Sequence, residues 1–84
     1  MTALAQVEQV LRDLARRCAL PIPAEGAAGA TLAELGLESL HFVELALALE
    51  ETFPGIDPVA LPIDGDATAA TLAAAVAAAR ETAP

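Results

Sequence analysis

The sequence predicts an all-α protein, a small bundle of three longer helices and one short helix. Apolar residues recur at helical spacing through the first 19 residues. The stretch from Ser39 to Phe53 contains no Gly or Pro and is rich in Leu, Ala and Glu, which favour helix. No segment shows a strand-like alternation of apolar and polar residues. At 84 residues, the chain has the size of one domain, which we expect to span residues 1–84.

The first helix is expected from about Ala3 to Ala19. Thr2 is placed to cap its start, and Pro21 is expected to end it. Cys18 falls on its apolar stripe, so we interpret it as a buried small residue rather than a reactive thiol. The full stripe consists of Leu4, Val7, Leu11, Leu14 and Cys18.

A loop rich in Pro, Gly and Ala is expected from Pro21 to Ala30, and Ile22 would anchor it. Thr31 and Glu34 have the spacing of a capping box, so a single helical turn is expected to follow and to close at Gly36. Three leucines would hold this turn on the core, namely Leu32, Leu35 and Leu37.

The helix that begins near Ser39 carries apolar residues on two sides. One stripe is suited to the core and consists of Phe42, Leu45, Leu49 and Phe53, with Ala46 beside it. The opposite side carries Leu40, Val43 and Leu47, flanked by Glu44, Glu50 and Glu51. This strip is either a docking surface for a partner with a basic rim or a face covered by another part of the chain. The pattern leaves both interpretations open.

Ser39 is predicted to be the N-cap of this helix, with its hydroxyl near solvent. The free N–H groups and the dipole at such a helix start favour an anion such as phosphate.

After the helix, a short helix is expected to start at Asp57-Pro58 and to stop at Pro62. Thr68 would cap a last helix that runs to about Arg80 and places Leu72 and Val76 on one face.

The central segment reads LGLESLHFVELALALEETF. It contains Leu35-Gly36, Ser39-Leu40, Val43-Glu44-Leu45, Leu49-Glu50-Glu51 and Phe53 in order. In this it resembles the prosthetic-group site of the acyl carrier protein family, whose usual pattern is LGxDSL, then a V-E-L helix ending in E-E-x-F. The resemblance implies a four-helix bundle. It also implies that Ser39 receives 4′-phosphopantetheine from coenzyme A, and that the thiol of this arm carries acyl groups as thioesters.

The segment departs from the family pattern at three positions. Glu38 replaces the family's Asp and is one methylene longer, which predicts a weaker contact with the modifying enzyme. His41 and Phe42 stand where acidic or small polar residues are common. Aminoacyl and peptidyl carriers usually show a second Gly, as in LGGxS, and Leu37 occupies that place here, which favours an acyl carrier.

The resemblance implies a carrier that catalyses no reaction and presents its cargo to other enzymes. These would be a phosphopantetheinyl transferase and acyl- or aminoacyl-loading, transferring and condensing enzymes with basic docking surfaces. The predicted partner-binding residues are Glu38, Leu40, Val43, Glu44, Leu47 and Glu51. A chain starting at Met1 indicates a discrete carrier, and His41, Phe42 and the Ala-rich background favour specialised metabolism, such as polyketide synthesis, over housekeeping fatty-acid synthesis. The alternatives are an aminoacyl or peptidyl carrier and an unmodified helical adaptor.

Composition and spacing exclude several other functions. A net charge of −8 and a pI of about 4.2 disfavour nucleic acid and anionic membranes, and favour basic protein surfaces. The sequence has no membrane span, no signal peptide and one Cys, so we expect a cytoplasmic protein. We also expect it to be a monomer. A hydrolase that uses Ser39 and His41 is excluded because residues two apart on a helix do not face each other. No His, Cys or acidic cluster has the spacing of a metal site.

Overall fold

The computed structural model describes residues 2–21 and 27–82, which form three α-helices. These are α1 (Ala3–Cys18), α2 (Ser39–Thr52) and α3 (Ala69–Thr82). Helix α1 packs against both α2 and α3. The described residues contain no β-strand, only an isolated bridge between Thr31 and Thr68. The predicted all-α fold is therefore confirmed.

Two short 3₁₀ helices lie in the connections between the long helices. Pro58–Ala60 is the predicted short helix, and Oδ1 of Asp57 caps it by accepting a bond from the Val59 N–H at 3.0 Å. Ala27–Gly29 was not predicted and lies within the segment expected to be a loop. The predicted anchor, Ile22, lies outside the described residues.

Both ends of α1 lie close to their predicted positions. Oγ1 of Thr2 accepts a hydrogen bond from the Ala5 N–H at 3.1 Å and caps the helix. The helix ends at Cys18, and Ala19 at its C-cap adopts the left-handed conformation with φ 57°. The Leu20 N–H then donates to the Ala15 carbonyl at 2.9 Å, and the Ala19 N–H donates to the same carbonyl. The end predicted near Ala19, just ahead of Pro21, is therefore confirmed to within one residue.

The core is one cluster of buried residues to which all three helices contribute. The predicted stripe of α2 faces it: Leu45, Leu49 and Phe53 are buried, and Phe42 is half-buried against them. The other helices contribute a set of buried aliphatic residues, namely Val7, Val10, Leu11 and Leu14 from α1 and Leu72 and Val76 from α3. Ala48, rather than Ala46, is the small residue of α2 that packs against this core.

The turn that precedes α2 is built as the sequence predicted. The Thr31 N–H donates to Oε1 of Glu34 at 3.0 Å, and the Glu34 N–H donates to Oγ1 of Thr31 at 3.1 Å, which completes the capping box. The bond from the Thr31 backbone N–H lowers the pKa of the Glu34 carboxyl. The ionised carboxylate therefore stabilises the fold, and this contribution is lost as the pH falls through the lowered pKa. The turn closes at Gly36, whose φ of 92° favours glycine.

Buried leucines and backbone bonds fix this turn on the bundle. Leu32, Leu35 and Leu37 are all buried, as predicted. The Leu32 N–H donates to the Ala67 carbonyl at 2.8 Å, which ties the turn to the residues just before α3. The chain therefore enters α2 from a turn that is held at both its side chains and its backbone.

Candidate functional site

The site lies at the start of α2, where Ser39 is the first helical residue and not the N-cap. Glu38 is the N-cap, because its backbone is extended (φ −115°, ψ 174°) while its carbonyl already accepts a bond from the His41 N–H at 2.9 Å. The predicted cap position of Ser39 was wrong by one residue. Its hydroxyl is exposed and makes no hydrogen bond within the described part of the chain, so it is free to react.

The backbone around Ser39 is suited to a phosphate. The amide N–H groups of Ser39 and Leu40 have no acceptor among the described residues, since they lie in the first turn of α2. Together with the positive end of the helix dipole, such groups favour an anion. An exposed hydroxyl beside two free N–H groups therefore fits a phosphate ester on Ser39.

The second apolar strip of α2 is a surface. The exposed fractions of its three side chains are 61% for Leu40, 64% for Val43 and 57% for Leu47. The interpretation in which another part of the chain covers this strip was therefore wrong for the described residues. The strip runs along α2 from the residue next to Ser39, so a molecule bound there would lie close to the Ser39 hydroxyl.

An apolar groove of about 320 Å³ adjoins this strip. It lies between α2 and the segment around Pro58–Ala60, and its lining consists of Phe42, Val43, Ala46, Leu47, Pro58, Val59, Leu61 and Ile63. Val59 is 90% exposed and extends the apolar surface beyond α2. Sequence reasoning missed Val59, because the Asp57-Pro58 signal predicts a short helix without showing which of its residues face solvent.

The predicted carboxylates occupy different surroundings. Glu38 is exposed next to Ser39. Glu51 is also exposed and lines a shallow groove between α1 and α2, which includes Arg17. Glu44 is half-buried, and its Oε2 accepts a hydrogen bond from the Cys18 thiol at 3.4 Å. Glu44 therefore connects α2 to α1 in addition to any contact with a partner.

Cys18 has the properties of a structural thiol. Burial, and then the neighbouring Glu44 carboxylate, raise the pKa of the Cys18 thiol above its ordinary value. A raised pKa keeps the thiol protonated at neutral pH, and the protonated form is a poor nucleophile. This agrees with the interpretation made from the sequence, although the side chain is only half-buried.

His41 does not take part in a catalytic arrangement with Ser39. Its Nδ1 accepts a hydrogen bond from the Glu38 N–H at 2.8 Å, which directs that nitrogen to the backbone before the helix.

The described residues include no group of three or more potential metal ligands. None of the helices they form is long and apolar enough to cross a membrane.

A small helical bundle that presents an exposed serine at the start of its central helix has the features of a carrier protein. The family model described as "Phosphopantetheine attachment site" matches residues 5–76, so this chain belongs to that family. The domain is thus a site of covalent 4′-phosphopantetheine attachment. Neither a curated protein nor a solved structure shows a significant match to the chain. Carrier domains of this family generally act as non-catalytic shuttles.

Proposed function

We propose that this protein is an acyl carrier protein and that Ser39 bears its phosphopantetheine arm. The observation that carries the proposal is that Ser39 is the only serine in the chain. The family attaches its arm to a serine, and this one lies at the matching place in the LGLESL motif. Its exposure and its free neighbouring N–H groups support the assignment.

The chain's own residues would supply binding and orientation for the arm. When bound, the arm supplies the thiol that holds an acyl group as a thioester. Ser39 offers the oxygen that is esterified, and the N–H groups of Ser39 and Leu40 stabilise the negative charge of the phosphate. The packed turn before α2 keeps this point of attachment fixed on the bundle, so the arm would extend from a defined position.

We further propose that the cargo is an acyl group of a polyketide, fatty-acid-like or other specialised pathway in the cytoplasm. Leu37 supports acyl over aminoacyl cargo, because it replaces the second Gly that is usual in aminoacyl and peptidyl carriers. His41 and Phe42 support a specialised pathway, as they replace the acidic or small polar residues common at these positions.

Intact-mass measurement tests the function directly. After incubation with coenzyme A and a phosphopantetheinyl transferase, the protein is expected to gain the mass of one arm. Loading reactions with acyl-transferring and aminoacyl-activating enzymes then identify the cargo. An aminoacyl thioester alone would favour an aminoacyl or peptidyl carrier, and no gain of mass would favour an unmodified adaptor.

The partner surface is proposed to centre on the exposed strip of Leu40, Val43 and Leu47. Val59 supports this proposal, since it continues the apolar area across the adjoining groove. The carboxylates of Glu38, Glu44 and Glu51 would meet a basic rim on the partner enzyme. Rim charges mainly steer the encounter, whereas the apolar centre determines how long the complex lasts.

Glu51→Lys is expected to slow acyl transfer to a partner at low salt, because it reverses a charge on the rim. The loss should shrink as salt is added, since exposed charges are screened beyond about 10 Å at 0.1 M. Leu47→Ala should weaken transfer with little dependence on salt. Glu81→Lys on α3 is the control, because it makes the same change in net charge on another helix. Equal transfer rates for wild type and Glu51→Lys at low salt would place recognition elsewhere.

A further inference from the structure

The imidazole of His41 holds the backbone immediately before Ser39. Its Nδ1 accepts a hydrogen bond from the Glu38 N–H at 2.8 Å. Glu38 is the N-cap of α2 and His41 is the third helical residue, so the two have the arrangement of a capping box. In the common form of this motif, a Glu or Gln at the third position provides the acceptor. Here the imidazole of His41 takes that role.

The residue types at the start of α2 make this bond important. Asp, Asn, Ser and Thr are the favoured N-cap residues, because a short side chain reaches the free N–H groups of the first turn. Glu38 is not of this kind, and it replaces the Asp of the LGxDSL pattern. His41 is also the only described residue that accepts a bond from the Glu38 N–H. The capping box is reciprocal, since the Glu38 side chain accepts from the His41 backbone N–H, and the imidazole supplies the bond to the Glu38 N–H.

We propose that His41 is a positioning residue for the attachment of phosphopantetheine to Ser39. It acts through Glu38: by fixing the Glu38 backbone, it fixes the direction in which the Ser39 hydroxyl and the first free N–H groups face a modifying enzyme. The inference rests on the proposed function, since the direction of Ser39 matters to loading only if Ser39 is the attachment residue. It requires a neutral ring with its proton on Nε2, because only then can Nδ1 accept.

Nuclear magnetic resonance of the protein without its arm tests the bond itself. His41 is the only histidine in the chain, so the ¹⁵N shifts of its ring are unambiguous. We expect the Nε2–H tautomer and slow exchange of the Glu38 amide proton. His41→Ala should lose this protection, while His41→Gln should retain it because a Gln side chain can accept the same bond. A ring protonated on Nδ1, or an unprotected Glu38 amide in the wild type, would overturn the inference.

Loading kinetics test the consequence. His41→Ala is expected to lower kcat/KM for the transferase about fivefold. This factor corresponds to about 1 kcal/mol, the free energy that a typical helix cap contributes. His41→Gln should restore most of the rate, and Glu81→Ala on α3 should leave it unchanged. Alanine has a higher helix propensity than histidine, so an effect of propensity alone would have the opposite sign.

The outcomes separate this inference from the proposed function. If the wild type gains the arm and His41→Ala gains it at the same rate, His41 has no positioning role and the carrier function stands. If the wild type gains no arm, the carrier function fails, and the positioning role fails with it. Circular dichroism of each variant shows whether the bundle is retained, and the tautomer measured on the wild type does not depend on any variant.

Discussion

Ser39→Ala is expected to abolish the attachment of phosphopantetheine completely, while the bundle stays folded. The variant has no serine left, so no side chain of the type used by the family remains. The Ser39 hydroxyl is exposed and has no hydrogen-bond partner among the described residues, so its removal should change the free energy of unfolding by less than about 0.5 kcal/mol. Intact mass after incubation with coenzyme A and the transferase measures the loss, and a thermal melt measures the stability.

Thr2→Ala is the matched control for this experiment. It also removes one hydroxyl, but this hydroxyl caps α1, so its loss should cost about 1 kcal/mol of stability. Thr2→Ala should therefore melt earlier and still gain the arm, whereas Ser39→Ala should melt normally and gain nothing. If Ser39→Ala still gained the mass of the arm, the assignment of Ser39 would be wrong.

Features that depend on local chemistry were predicted well from the sequence. The capping box of Thr31 and Glu34 joins residues three apart, and the stripe of Leu45, Leu49 and Phe53 follows the period of a single helix. Both features are determined by residues that lie close together in the sequence. The N-cap of α2 was misplaced by one residue because Ser is among the best capping residues and Glu is not, so propensity favoured Ser39 over Glu38.

Features that depend on how the helices meet were not predicted. The bond between Cys18 and Glu44 joins residues 26 positions apart on two helices, and no local pattern indicates it. The sequence left open whether the strip around Val43 was covered, because this depends on where the other segments pack. Whether Val59 is exposed likewise depends on how its segment packs against the rest of the bundle. Ser39 as the attachment residue stays a prediction from a local motif, whereas the exposure of the proposed partner surface depends on packing that no local pattern shows.

The predicted faces of α2 can be tested with two leucines that lie two positions apart. Leu49 is fully buried in the core, while Leu47 is 57% exposed. Leu49→Ala removes apolar contacts from the core and leaves a cavity, so it should cost roughly 2–5 kcal/mol of unfolding free energy. Leu47→Ala makes the same chemical change on the surface and should cost much less, because most of that side chain already contacts water.

Urea denaturation followed by circular dichroism compares the two variants with the wild type. A small domain has a total stability on the order of 5 kcal/mol, so Leu49→Ala should leave a protein that is at best marginally folded. Leu47→Ala should keep a midpoint close to that of the wild type and yet transfer its cargo more slowly to a partner. A large loss of stability in Leu47→Ala would show that this residue belongs to the core, and the proposed partner surface would then lose its centre. Equal midpoints for Leu49→Ala and the wild type would mean that the two faces of α2 are reversed.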